Sequence, residues 1–429
     1  MSTQQSQLRA PAATGRPGLI YYGWVNVVMA ALAMTATLPG RTHGLGLITK
    51  PLLEDLHMPE QVFSYLNFWA ILLGTLFAWP IAWLIDMWGT RIVGGAVILA
   101  LGGVVAAMSF VHDEIPLFIC LLLVRGLGQG ALSVVSMAMV GKWFSRRLGL
   151  AMGVYSVLLG IGFVASTPTF QLAVEQYDWR EPWFCLGLTL LVGLGPLTLL
   201  LVRSVPPNHG SNEFDYVSTQ DVASPKDATL MEALRSPAFW IFSLAAAMFG
   251  LTWSAITLFY QLILADRGFD ADTYRLAMTV FMGVGMAANL LGGWSCRHWS
   301  MGRLLGLGMI LLAASLAVFP SVRERWQVVT FTAVFGASGG LITVIYFSFY
   351  GKAFGRAQLG RIQGAAHILS VFASALGPVL LTWTKENTGS YDGFFYGGVP
   401  ALVILGLAGW WVFVPGGTRA KGCTQGSQA

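Results

Sequence analysis

Twelve apolar stretches, each long enough to cross a bilayer, leave this 429-residue chain almost no way of folding in water. A spanning helix needs about 20 mostly apolar residues. Such runs occupy 21–48, 61–85, 92–111, 116–140, 149–174, 182–202, 239–262, 274–296, 304–320, 328–350, 360–384 and 394–414. Only 10% of positions are charged, against roughly 25% in soluble chains. The expected class is an all-α membrane protein. The first and fifth spans are long and contain Pro39-Gly40 and Pro168. Helix breaks at such sites are tolerated only where neighbouring helices or water satisfy the freed backbone groups.

The polar segments divide the spans six and six. Residues 1–20 and 415–429 read as tails, 203–238 as a linker with a surface helix near Leu230–Leu234, and 21–202 and 239–414 as two bundles. With the N-terminus inside, 16 Lys and Arg fall on the side of the termini and linker and 8 on the other, with Arg125 left in the membrane. That bias makes both termini cytoplasmic. The formal charge of +5 is scattered over short loops, which is no nucleic-acid footprint. Cys120, Cys185, Cys296 and Cys423 lack metal or redox spacing and read as small fillers. No cofactor motif or phosphate-binding GxxxxGK[ST] loop is present. The first span follows a polar start and is too long for a signal-peptide core, so it is expected to stay uncleaved. Neither end carries a lipidation motif.

The stretch Arg125–Gly153 joins the fourth and fifth spans. An arginine sits in an apolar run beside Gly126, Gly128 and Gly130, followed by the basic joint Lys142, Arg146 and Arg147. A weaker copy lies 211 positions on. Phe144, Arg146, Gly149 and Gly153 are echoed by Phe354, Arg356, Gly360 and Gly364, with one residue added after the arginine. A recurring joint indicates internal duplication. The spacings Gly126/Gly130, Gly149/Gly153, Gly336/Gly340 and Gly360/Gly364 place small residues on one helix face, where helices pack closely.

Six spans, a linker and six spans with matching joints resemble the major facilitator superfamily. Its motif between spans 2 and 3 appears as Ala82, Asp86, Gly89 and Arg91 in AWLIDMWGTR, with the small residue Ala82 in place of the leading glycine and Thr90 in place of one basic residue. The joint after span 8, GWSCRHWSMGR, keeps Gly293 and Arg303 and has Arg297 where an acid is common. Arg125, Gly128 and Gly130 match the span 4 motif. YYGWVNV at 21–27, KWFSRRLGLAMG at 142–153, DWR at 178–180 and YGKAFGRAQLGRIQG at 350–364 resemble the monocarboxylate and oxalate–formate transporter group. The resemblance implies twelve transmembrane helices in two pseudo-twofold six-helix bundles, each an inverted repeat of three, around one central site. It also implies a cytoplasmic gate at Asp86, Arg91, Arg297 and Arg303, with the start of span 11 near Leu359 and Gly360 as partner for Asp86.

Every Asp and Glu sits at a span end or in a loop. The deep ionisable groups are Arg125 and His367, with Arg41 and His43 in the outer part of span 1. Fixed positive charge and imidazoles favour an anion, because only opposite charge offsets an ion's desolvation. Arg125 lies ~13 Å into span 4 at 1.5 Å per residue. It either serves the cargo or conformational switching, or is structural. The resemblance implies the latter, with backbone carbonyls and span 5 as partners. Arg41 and His43 flank the Pro39-Gly40 break, near the place of a functional lysine in carriers resembling monocarboxylate transporters. They form an anion trap, or Arg41 snorkels outward. His367, ~12 Å into span 11, is a proton-coupling or anion-binding group or a hydrogen-bonded structural one; His43 shares the proton role. The relatives' arginine in the middle of span 8 is missing here, and Asn289 is its best polar candidate. Trp253, Tyr260 and Tyr346 suit a larger or partly apolar anion, or are packing residues.

The expected protein is a monomeric secondary carrier of the plasma or bacterial inner membrane. It moves a small, monocarboxylate-like organic anion by alternating access, with proton symport or anion exchange. It is not an enzyme, has no metal or cofactor, and binds lipid and substrate but no nucleic acid. An exporter of amphipathic metabolites or drugs on the same fold, and a non-transporting receptor, are the alternatives.

Overall fold

The computed structural model describes residues 22–144, 148–204, 228–296, 299–355 and 358–412, all-helical among those residues. Both expected tails, most of the linker, and Arg146, Arg147, Arg297 and Arg356 lie outside them.

Eleven helices are long and apolar enough to cross a bilayer among the described residues. In the first half these are span 2 (Glu60–Ile81), span 3 (Trp83–Met108), span 4 (Glu114–Gly141), span 5 (Leu150–Tyr177) and span 6 (Arg180–Leu201). In the second they are span 7 (Pro237–Asp266), span 8 (Ala271–Ser295), span 9 (Met301–Ser321), span 10 (Arg325–Phe354), span 11 (Arg361–Thr388) and span 12 (Asp392–Trp411). Span 1 completes the twelve in pieces: Gly23–Thr35, a 3-10 turn Leu38–Gly40, and Thr42–Asp55. It runs seven residues past its expected end at 48, because Lys50 is tolerated within the helix and reaches Glu54 one turn on (3.9 Å). Pro168, by contrast, sits inside the continuous helix Leu148–Tyr177. A proline removes one hydrogen bond and need not part a helix that neighbours hold.

The joint between spans 2 and 3 turns on Gly89, whose φ of 77° is the left-handed region open to glycine. A Cβ there would also strike the Ser204 hydroxyl at 2.4 Å. In the linker region a short helix, Leu230–Arg235, occupies the expected place and begins with a Thr229/Glu232 capping box. It is hooked to the end of span 10 by Ala228 N donating to Phe354 O (2.9 Å) and Leu230 N to Gln358 Oε1 (3.0 Å). The side on which it lies is called the linker face below, and the opposite side the distal face.

Glycine crossings are duplicated between the halves. Spans 3 and 6 meet at Gly102 and Gly187, where a Cβ on Gly102 would stand 2.8 Å from the Gly187 carbonyl oxygen. Spans 9 and 12 meet at Gly302 and Gly409, with 2.4 Å for the same construction. Phe144 at the end of span 4 packs on Trp24 (5.2 Å), and its sequence counterpart Phe354 packs on Phe239 (6.5 Å). The duplicated joint therefore packs against the start of the first span in each half.

Each half is also fastened at the distal face by an arginine. Arg180, opening span 6, pairs with Asp55 at the end of span 1 (2.6 Å) and donates to the Ser109 and Val111 carbonyls after span 3. Arg267, closing span 7, pairs with Asp392 at the start of span 12 and donates to the Phe319 and Pro320 carbonyls at the end of span 9. Acid and base have exchanged helices while the three elements joined remain equivalent. Because each arginine also ends two carbonyls, Arg180→Ala is expected to destabilise by roughly 2 kcal/mol or more, and Asp55→Asn by no more than about 1 kcal/mol. Chemical denaturation in detergent checks the order; equal losses would make the ion pair, not the carbonyl bonds, the fastening.

Candidate functional site

The site grows from the break in span 1. Thr37 turns its hydroxyl to the Met34 carbonyl (2.6 Å), the 3-10 turn takes Pro39 and Gly40, and Arg41 is extended (φ −91°, ψ 149°) before a new helix starts at Thr42. Gly40 is pressed against span 4: a Cβ would lie 2.5 Å from the Val124 carbonyl oxygen and 3.0 Å from Gly128 Cα. Here span 4 is π-helical over Arg125–Leu132, a distortion that recurs at functional sites. The positive end of the half-helix Thr42–Asp55 is thereby placed inside the membrane layer.

Arg125 is 2% exposed and holds this break. Its Nη1 donates to Gly40 O (3.0 Å), Thr42 Oγ1 (3.2 Å) and Gln129 Oε1 (3.4 Å), and its Nη2 to Asn67 Oδ1 of span 2. The partners come from spans 1, 2 and 4, not from span 5 as expected. The geometry of Arg125 is that of a clamp.

Arg41 differs. It is half-buried, donating to Thr37 Oγ1 (3.0 Å), Met34 Sδ (3.3 Å) and Ser133 Oγ (3.0 Å) through Nε and Nη2. These bonds leave Nη1 for another ligand. His43 is buried between Phe163 of span 5 (5.2 Å) and Trp253 of span 7 (6.3 Å), and its Nε2 has no partner. His367 is exposed within span 11 and in electrostatic reach of Arg41. Around its helix it falls between Ser370 and Ser374, which pack on Gly250 of span 7, and Pro378 and Thr382, which meet Ser64 of span 2. That face looks across to the first bundle. Arg41, His43, Trp253 and His367 thus come together from three spans.

The other sequence candidates stand apart. Tyr260 is buried, with its hydroxyl engaged by Thr332 (2.8 Å) and its ring against Tyr274 (5.9 Å). Asn289 is half-buried where span 8 crosses span 10 at Gly340. Tyr346 lies toward the linker end of span 10, and its buried hydroxyl has no partner. A cavity of about 280 Å³ between spans 9 and 10, walled by Val318, Trp326 and Phe331 among others, opens on the outer surface. Ser315, Ser321 and Thr330 turn their hydroxyls to their own helices there, which makes it a lipid-facing groove rather than the site.

Among the described residues, the hydrogen bonds, ion pairs and ring contacts between the bundles run from mid-layer to the distal face. At the distal rim Lys385 of span 11 meets Glu60 of span 2 (2.7 Å), and Tyr391 donates to the same carboxylate (2.7 Å). Burial, with the Glu60 carboxylate facing it, holds the Tyr391 hydroxyl above the ordinary phenol range, so it stays a donor. On the other side Arg275 of span 8 meets Glu175 of span 5 (2.9 Å). Between these pairs Tyr274 reaches the Gly46 carbonyl (3.5 Å), and Thr382 bonds Ser64 (3.1 Å). Toward the linker face, among the described residues, a Cβ on Gly153 or Gly364 would meet nothing within 4 Å. Of the four glycine pairs, Gly126/Gly130 and Gly336/Gly340 pack against neighbouring spans, while Gly153 and Gly364 line open space.

Asp86 pairs with Lys142 of its own bundle (3.2 Å). Arg91 is turned back onto the end of span 6, where its side chain meets the Leu199 carbonyl and its backbone N donates to Ser204 Oγ (3.0 Å). Arg303 is exposed, with its backbone N on the capping Ser300 hydroxyl (3.4 Å). Arg297 lies outside the described residues. The distal seam escaped the sequence reading: Glu60 and Lys385 are ordinary span-end charges 325 positions apart, and no local signal couples them.

Two halves of six spans, a broken first span clamped by a buried arginine and a seam closed at one face define a membrane transporter. A family model described as Major Facilitator Superfamily matches residues 23–378 and 242–425, and the chain belongs to that family. It is an integral membrane transporter of small molecules, not an enzyme. It is 25% identical to monocarboxylate transporter 11 of Homo sapiens over 387 residues, covering 87% of this chain and 79% of that one. It is 23% identical to monocarboxylate transporter 13 of Bos taurus, with 87% and 85% covered. Its fold matches a bacterial homologue of the human lysosomal transporter Spinster, solved inward-facing and unoccupied, with a TM-score of 0.69 at 15% identity over 92% of this chain and 93% of that one.

If the distal pairs hold the seam, Glu60→Gln should raise the rate at which a cysteine replacing the buried Ser64 is labelled by an impermeant maleimide. With the native cysteines replaced, a severalfold increase is expected. An unchanged rate would remove Glu60 from the seam's closure.

Proposed function

We propose that this transporter is a secondary active carrier of a small organic anion, working by alternating access with proton symport or anion exchange. The observation that carries the reading is the half-buried Arg41, with Nη1 available, at a helix break facing His367. The described carboxylates lie at span ends, so a negative cargo would supply the counter-charge that the middle of the membrane lacks. The relatives' names, monocarboxylate transporters 11 and 13, agree in cargo class.

In this reading Arg41 and the positive end of Thr42–Asp55 receive the anion, and His43 and His367 exchange the coupled proton. Trp253 borders the cargo, Asn289 and Tyr346 supply neutral contacts along the way, Tyr260 supports the wall, and Arg125 fixes the geometry. The bias of Lys and Arg makes the linker face cytoplasmic, so the structure would stand open to the cytoplasm. Closure there would bring Asp86, Arg91, Arg297 and Arg303 into play. Residues 21–202 and 239–414 would rock as two bodies in a single monomeric chain, housed in a plasma or bacterial inner membrane.

Uptake of radiolabelled monocarboxylates into liposomes under a pH gradient tests this. Arg41→Gln is expected to lower uptake at least tenfold at equal incorporation. His367→Ala should retain anion exchange while losing the response to the gradient. Selective stabilisation and uptake of cations would overturn the reading, and so would native flux in Arg41→Gln.

A further inference from the structure

The two halves of the central site differ in chemistry. The first bundle contributes charge and hydrogen-bond donors: Arg41, the unpartnered Nε2 of His43, and the end of the half-helix at Thr42. The second contributes aromatic surface. Trp253 is half-buried; its ring lies 4.5 Å from Phe281 of span 8 and 6.3 Å from Phe335 of span 10, and it stands nearly perpendicular to the His43 ring. Phe281 and Phe335 are themselves stacked at 5.4 Å. Span 8 has no cation at its centre, and Phe281 is what it contributes near Trp253.

Resting on the anion reading above, we propose that the cargo is an aromatic monocarboxylate, held with its carboxylate on span 1 and its ring against Trp253. A ring beside Trp253 removes apolar surface from water on both partners and takes up edge or offset contacts that a two- or three-carbon acid lacks. The carboxylate then faces Arg41, with His43 at the junction between the charged and the aromatic wall. A short hydroxy acid would reach Arg41 but leave the Trp253 surface uncovered. This arrangement also accounts for a grip on the carboxylate that comes from one bundle only.

The test is calorimetry and thermal shift on the purified full-length protein with phenylacetate and indole-3-acetate against acetate and lactate. The aromatic acids are expected to bind at least tenfold more tightly. Trp253→Leu should reduce that preference to threefold or less, and Trp253→Phe should keep most of it. Acetate or lactate binding as tightly as the aromatic acids overturns this proposal and leaves the anion carrier standing. Binding of neither set, with binding of cations or neutral compounds instead, overturns both. The native protein's own preference decides the matter even where a variant fails to fold.

Discussion

The bond from Arg125 to the Gly40 carbonyl is the contact on which the central architecture depends. A helix that stops inside a membrane leaves backbone groups without water, at a cost of several kcal/mol for each that stays unpaired. Span 1 stops at Pro39-Gly40, and the guanidinium of span 4 takes up the carbonyl there together with Thr42 and Asn67. The close approach follows from small residues, since Gly40 and Gly128 nearly touch through their backbones. Only because the break is held in this way does Arg41 leave the helical path and enter the space between the bundles.

Much of this was legible in the sequence, for reasons of scale. Apolar runs of bilayer length dictate spans whatever their neighbours, so twelve spans and a surface helix at 230–235 follow from hydropathy and end signals. The break expected at Pro39-Gly40 is present because proline and glycine together interrupt a helix, whereas the one expected at Pro168 is absent, a lone proline being carried inside a continuous helix. The partners of Arg125 were misplaced because a buried guanidinium bonds to whatever the fold presents, and that depends on three-dimensional crossings. The distal seam was illegible for the same reason. Glu60, Glu175, Arg275 and Lys385 each read as a charge at a span end, and only the folded arrangement makes them face one another.

Duplication explains which features repeat and which do not. The glycine crossings of spans 3 with 6 and 9 with 12 join equivalent helix pairs, at the distal end for Gly102 and Gly187 and at the linker end for Gly302 and Gly409. The fastenings Arg180–Asp55 and Arg267–Asp392 recur with reversed polarity, since an ion pair has the same function from either side. At the centre the halves differ: the first presents Arg41 and His43 at a broken helix, and the second presents Trp253 on Phe281 and Phe335, with His367. Selectivity for an orientated, amphipathic cargo needs this asymmetry. A site alike on both sides would hold either end of such a molecule equally well.

The strengths of these contacts fix what can move. Inside a bundle, Arg125 is buried with four partners, and stripping a buried charge of its partner costs about 3–5 kcal/mol. Between bundles, the charged contacts of the closure are two ion pairs whose side chains remain 21–29% exposed, and exposed pairs contribute only about 0–1 kcal/mol each; the hydroxyl and ring contacts of Tyr391, Thr382 and Phe63 lie beside them. A cargo that binds with micromolar affinity has about 8 kcal/mol of interaction free energy. A small differential share of it would outweigh the distal pairs, while the clamp at Gly40 remains intact. The proposed rocking of two firm bodies, with the clamp at Gly40 unchanged inside the first, agrees with this hierarchy of contacts.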